Sequence, residues 1–360
     1  MDLKVIEIIL NSFKVKYNVL LDLINNSSAE GDNMNIYINL DSIFNNFYVE
    51  GKDSAMNSLT VKESLIMVSE LINIAAHYRH FFWSRFRATT KIYFYYCNKR
   101  PKWQKKKVDT YFEKDEFNKS TEHPKFSGIN ETIEDVLKLF SKVIEYIQEV
   151  YYVPSDGLEP SIIPYYLIKN TGNENTCHMV ISKDKIDYQL CNINNTFIVS
   201  PRGVNTKMIE AKTIYDHKFK SIKYRPKNHL SPELYPLLIA FLGDKKRGIP
   251  KVKGCTLVHT LKTIDKLIDD ELIKNGLNKS ISLDTLSECI DEVSAKQIKN
   301  NYKCINFNRV YHLLTEMDSY NIRKHISNNK YDNESIMNLN GTYFQNNNIK
   351  LIELSEGIDR

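Results

Sequence analysis

The stretch FLGDKKRGIPKVKG, Phe241 to Gly254, joins two segments of helical period, PELYPLLIAFLGD before it and CTLVHTLKTIDKLIDDELI after it. It holds three glycines, a proline and five lysines or arginines. Glycines let a backbone approach a ligand closely, and cations offset phosphate charge. The composition is that of a loop built to hold a phosphate backbone. Near its start sits Asp244, and three residues later Arg247. The question it raises is whether Asp244 is one member of a metal-binding acid cluster or what survives of a dismantled one.

Upstream of this loop, strand and helix signals alternate. MNIYINLDSIF reads as a strand that delivers Asp41 at its carboxyl edge, and residues 60–90 have a helical period. KIYFYYCN is a second strand, ETIEDVLKLFSKVIEYIQEV an amphipathic helix, TCHMVISKDKIDYQL a third strand followed by acids, and NTFIVSP a fourth. Such alternation predicts an α/β domain with a mainly parallel central sheet flanked by helices, followed by a helical C-terminal region. Ligands of such sheets gather beyond the carboxyl ends of the strands, where Asp41 and Asp184 both fall. The expected organisation is an N-terminal amphipathic helix and linker (1–33), the α/β domain (34–230), a helical region (231–326) and a weakly patterned tail (327–360).

At 360 residues, 42% apolar and 26% charged, the chain can bury a sizeable core, and no apolar run reaches the length of a membrane span. The N-terminal segment alternates charge and apolar residues at helical spacing, which speaks against a signal peptide. Six scattered cysteines without a CxxC pair argue against a zinc site or a disulfide framework and fit a reducing, cytoplasmic setting. A net charge of +5 permits nucleic-acid binding without arguing for it. His77 and His80, three apart in HYRHFFWSRFR, could share a helix face, but no carboxylate or cysteine accompanies them; core or contact residues are the expected role.

Taken in order, INLDSIF, the helix leading to YYVPSDGLEPSIIPYYL, VISKDKIDYQL, FLGDKKRGIPKVKGCT and KQIKNNYKCINFNRVY resemble the flap endonuclease or 5′–3′ exonuclease family. The resemblance runs over roughly residues 34 to 315. It implies a PIN-like 5′-nuclease fold, an arch over the active site, and a helix–two-turn–helix (helix-hairpin-helix) element that grips duplex DNA. It also implies two magnesium ions held by about seven acids.

Asp41 stands where the family has its first acid. The second acid ends the next strand, where this chain offers Tyr96, Cys97 and Asn98. In LEPSIIPYYL, Glu159 takes the glutamate position of the family's E-A-D-D run, while Ser161 and Ile162 replace both aspartates. In DKIDYQL, Asp184 and Gln189 match, but Ile186 replaces an aspartate and Asp187 comes one residue late. In GDKKRGIPKVKG, Asp244 is kept and Arg247 takes an acid's place. The remnant catalytic and metal set is therefore Asp41, Glu159, Asp184 and Asp244, enough for at most one weakly held magnesium ion.

Lys251, Lys253 and Gly254 lie in the duplex-gripping hairpin that the resemblance implies, with Arg247 beside them; Lys251 and Thr256 stand where the family favours glycine. KRPKWQKKK falls where the arch would be, near 99–128. It interleaves Lys99, Arg100, Lys102, Lys105, Lys106 and Lys107 with Trp103, a pattern suited to single-stranded nucleic acid. HKFKSIKYRPKNH adds Lys218, Lys220, Lys223, Arg225 and Lys227.

Three readings stay open at this point. The chain is an impaired nuclease-like protein of phage type that binds single-stranded or branched DNA, in the host cytoplasm or with the virion, and docks a protein partner through its N-terminal helix. It is instead a working nuclease that borrows Asp156 or Asp187. Or it is a protein-interaction scaffold.

Overall fold

A computed structural model describes residues 3–26, 33–44, 59–96, 127–155, 157–171, 175–193, 195–201, 207–210, 224, 232, 234–244, 247–269 and 290–327. The arch segment from Lys99 to Lys107, Asp156, the cluster from Lys218 to Lys227 and the tail beyond Ser327 lie outside them.

The sheet has six strands: β1 (Asn33–Asn39), β2 (Thr89–Tyr96), β3 (Val150–Pro154), β4 (Thr176–Ile181), β5 (Thr196–Ser200) and β6 (Lys207–Ile209). Their order is β3-β2-β1-β4-β5-β6. β1 runs parallel to both β2 and β4, and β2 parallel to β3. Six of the seven β1 residues are buried, as befits a strand covered on both faces. Tyr37, Tyr93 and Tyr151 sit in register on β1, β2 and β3, and their rings stack at 5.1 Å from one to the next. The α/β class expected from the alternation is the fold observed.

Compactness divides the chain into two units. The first comprises residues 1–184, 198–208 and 315–360 and holds the body of the sheet. Its helices are α1 (Leu3–Asn11), α2 (Tyr17–Asn25), α3 (Val61–Phe86), α4 (Ser127–Ile144) and α5 (Ile162–Thr171), with α10 (Glu316–Ser327) returning to lie on β3. The second comprises residues 185–197 and 209–314. It contains a 3₁₀ segment (Lys185–Asn192), α6 (Tyr235–Leu242), α7 (Leu257–Asp269), α8 (Glu292–Ile305) and α9 (Phe307–His312).

The long helix α3 begins where Thr60 and Glu63 close a capping box, each side chain accepting the other's backbone N–H. Its middle is buried through Leu65, Met67, Leu71, Ile72, Ile74, Tyr78, Phe81 and Phe82.

Two local expectations are corrected. The N-terminal segment is not one helix but two, with a break at residues 12–16. There the free carbonyls of Phe13 and Val15 are taken by α3: Tyr78 donates its hydroxyl to Phe13, and His77 Nε2 lies 2.7 Å from the Val15 oxygen. Lys14 pairs with Glu70 at 2.9 Å. Ile6, Ile9, Leu10, Phe13 and Val15 are buried, so much of the apolar face offered for docking a partner is already covered within the chain. The second is β3, a strand where the sequence reading has a helix through QEV leading to YYVPSDGL and no strand.

Candidate functional site

Strand register places Asp41 and Asp184. Ile38 of β1 pairs with Ile181 of β4, and Asp41 and Asp184 each follow three residues later. Both are half-buried just beyond the carboxyl ends of neighbouring strands. A polar knot ties these two strand ends together. The Asn39 side-chain amide donates to Ser182 Oγ at 3.3 Å, and its oxygen accepts the Ser42 N–H at 3.3 Å. The Ser42 and Ser182 hydroxyls lie 3.4 Å apart. Ser42 Oγ accepts the Lys183 N–H and Ser182 Oγ the Asp184 N–H, both at 3.0 Å. All three side chains are buried. The knot fixes the backbone that carries Asp41 and Asp184, and the sequence reading missed it.

The second family acid would end β2. That strand ends in Tyr96, whose buried ring meets Phe44 edge-on at 5.5 Å; Cys97 and Asn98 lie outside the described residues. Glu159, which follows β3, is buried. β3 and β1 are separated by β2, a lateral gap of about 10 Å at ordinary strand spacing. Carboxylates bind magnesium at about 2.1 Å, so such a gap needs a bridging donor from β2.

The positions at which the resemblance leads one to look for further aspartates are core here. Ser161 and Ile162 are fully buried at the start of α5, where Ile162 N–H bonds the Glu159 carbonyl at 2.9 Å. The Ser155 and Ser161 hydroxyls are buried without a hydrogen-bond partner. Ile186 is buried, and Asp187, weighed as a substitute ligand, is buried completely in the 3₁₀ segment. Among the described residues, no group of three or more His, Cys, Asp or Glu side chains is arranged to hold a metal ion. The donors among the described residues therefore do not by themselves make up a two-ion centre.

In the second unit, Asp244 and Ile249 exchange both backbone hydrogen bonds at 2.9 Å, which closes the loop after α6. Gly243, at φ 72°, leaves no room for a side chain: a Cβ would stand 2.6 Å from the Lys251 nitrogen. Within this turn Arg247 Nη1 donates to Asp244 Oδ2 at 2.8 Å, with both side chains largely buried. Asn301 of α8 clamps the junction, donating to the carbonyls of Ala240 at 2.8 Å and Pro250 at 2.9 Å. Gln189 makes a similar joint, donating to the Ile305 carbonyl at 2.9 Å and accepting the Phe307 N–H at 3.1 Å.

Further along, Lys251 and Lys253 are exposed, and Gly254 has φ 77° with open space around its Cα. Thr256 Oγ1 accepts the His259 N–H at 3.2 Å, so α7 is capped by its own side chain at one of the amides a phosphate would use. His77, Cys177, Cys191 and Cys255 are packing residues: burial lowers the His77 pKa and pushes the Cys177 thiol up to about 12.

This is the architecture of the flap endonucleases and 5′–3′ exonucleases, and the resemblance read from the five segments is borne out at the level of the fold. The chain is similar to the bacteriophage T5 protein co-crystallised with metal ions and to the T5 5′-exonuclease with bound zinc. Each matches at a TM-score of 0.55 and 12% identity, over 82% of this chain and 100% of theirs. The T5 flap endonuclease in a pseudo-enzyme–product complex with DNA and metal ions matches at 0.52 and 12% identity, over 82% of this chain and 99% of that one. No family sequence model and no curated protein sequence matches the chain. Among the described residues, no helix is long and apolar enough to cross a membrane.

Proposed function

We propose that this chain is a flap-endonuclease-like protein that has lost efficient two-metal cleavage and acts as a nucleic-acid-binding or structural subunit of a phage-type assembly. The observation that carries the reading is the Arg247–Asp244 ion pair at 2.8 Å. A fixed cation occupies a position where the resembled family places a metal ligand, and it consumes the neighbouring carboxylate. The burial of Ser161, Ile162 and Ile186 at other ligand positions supports the same conclusion. Residues that hold the backbone together, Gly243, Gln189 and Asn301, have by contrast kept their structural work. The frame is maintained while the metal ligands are not.

Nucleic-acid contact falls to Lys99, Arg100, Lys102, Trp103, Lys105, Lys106 and Lys107 in the arch segment, and to Lys251, Lys253 and Gly254 in a helix–two-turn–helix element around the α6–α7 loop. The structural likeness to a DNA complex supports this assignment. The test is cleavage of 5′-flap and blunt 5′-end substrates in magnesium or manganese, with Asp184→Ala as control. Wild type and control are expected to show the same background rate. Cleavage that Asp184→Ala abolishes overturns the proposal.

One observation favours a second reading. Asp41 and Asp184 remain at matching positions beyond adjacent strands. Together they could hold a single weakly bound magnesium ion and retain slow cleavage. Manganese-soaked crystals separate the readings: one partly occupied ion beside Asp41 and Asp184 supports the second, and two ions a few ångströms apart contradict both.

A further inference from the structure

The last two turns of α3 carry a surface unlike the rest of that helix. After a buried middle, His80, Trp83, Ser84, Arg85, Phe86 and Arg87 are all exposed, Trp83 by 36% and Phe86 by 41%. The stretch from His77 to Thr90 contains no Asp or Glu. Arg79 is engaged, donating to the Gln148 carbonyl at 2.8 Å, and nearby Glu149 is occupied by Lys91 and Tyr151.

Arg87 ends the helix in the left-handed region, at φ 54°. Glycine is the residue that usually takes this place. Its N–H bonds back to the Trp83 carbonyl at 3.1 Å, and its guanidinium lies 5.4 Å from the centre of the Trp83 ring. Cations at a helix C-terminus favour the helix dipole, which accounts for Arg85 and Arg87. It does not account for two large aromatic rings left partly in water beside them, Phe86 resting against Phe81 and Phe82, with no aliphatic side chain exposed among them.

We infer that the Trp83–Arg85–Phe86–Arg87 surface binds single-stranded nucleic acid, with bases stacked on the two rings and phosphates against the two guanidinium groups. Rings and guanidinium planes offer faces to any base, and cations pair with the backbone whatever its sequence. The surface is separate from the acid site. It sits where α3 hands over to the amino end of β2, whereas the acids follow the carboxyl ends of the strands. The eight residues of β2 put about 23 Å between the two edges of the sheet. The inference shares a ligand class with the proposed function but none of its residues.

Trp83 reports on the test directly. The sequence has two tryptophans, and in the full chain carrying Trp103→Phe, Trp83 is the single indole. Titration with a short oligothymidylate is expected to quench its emission saturably, with an affinity that falls as salt rises. With Trp103 restored, Trp83→Ala is expected to weaken binding about tenfold or more, while Trp83→Phe retains most of it. Arg87→Gly keeps the helix end, because glycine accepts the positive φ, and is expected to weaken binding and flatten its salt dependence. The proposal fails if the oligonucleotide binds by anisotropy while Trp83 emission stays unchanged, which places the ligand elsewhere. It fails equally if no oligonucleotide binds, or if an acidic peptide quenches Trp83 and the oligonucleotide does not. Substituting Lys105, Lys106 and Lys107 by alanine tests the arch segment separately and leaves the Trp83 signal in place.

Discussion

An arginine placed three residues after an aspartate, in a turn closed by backbone pairing, is held in position before any side-chain contact forms. Asp244 and Arg247 are in that arrangement, and their 2.8 Å contact lies mostly out of water. Removing one partner of such a pair strands the other, which costs more than the pair itself contributes. Arg247→Ala is therefore expected to destabilise the chain by about 1–3 kcal/mol, seen as a lower urea midpoint. Replacing both residues, Asp244→Asn with Arg247→Met, is expected to recover most of that loss. A single substitution with no effect would remove the ion pair as support for the proposal that Asp244 no longer serves a metal. Ser161 makes the complementary case. Its buried hydroxyl has no hydrogen-bond partner, so Ser161→Ala is expected to leave stability unchanged or raise it slightly.

Among the elements, one side chain bridges α6, the following loop and α8. Asn301 donates to the Ala240 carbonyl in the last turn of α6 and to the Pro250 carbonyl together. Its loss takes the side-chain donor from the buried Ala240 carbonyl and the half-buried Pro250 carbonyl, and Asn301→Ala is expected to cost about 1–3 kcal/mol. Faster amide exchange at the loop residues near Asp244 is the accompanying signature, and an unchanged exchange pattern would exclude the clamp.

This joint also marks the limit of what sequence alone conveys. Strands such as MNIYINL and KIYFYYC declare themselves through apolar runs of strand length, and the acids through their place after them. β3 did not, being five residues long and ending in a proline that reads as loop. The break at residues 12–16 was hidden because Phe13 and Val15 continue the apolar spacing, while their carbonyls are satisfied by side chains some sixty residues away. Of the site, the residues standing at the resembled family's ligand positions were legible letter by letter. The Asn39–Ser42–Ser182 knot was not, because ordinary polar residues acquire that role only when β1 and β4 become neighbours.

For the whole molecule, acid is the perturbation that these contacts anticipate. His178 lies within β4, buried, with Nδ1 3.2 Å from the Tyr37 hydroxyl at the edge of the stacked tyrosine row. Burial lowers its pKa to about 4, from an ordinary value of 6.5. Burial lowers that of His77 as well, partly offset by its bond to the Val15 carbonyl. A depressed folded-state histidine pKa means that the unfolded chain binds more protons between the two values. Stability is then full above the unfolded value and falls as pH drops through the window from 6.5 toward 4. For His178 alone the loss across that window is about 3 kcal/mol. Thermal unfolding of the full chain followed through this range is expected to show a steep fall in Tm. The slope is expected to shrink in His178→Gln, whose amide keeps a polar atom near Tyr37 without titrating there. The variant is less stable at neutral pH, so the comparison is of slopes and not of midpoints. Equal slopes in the two proteins would show that the carboxylates, and not the histidine at the edge of the sheet's tyrosine row, set the acid limit of the fold.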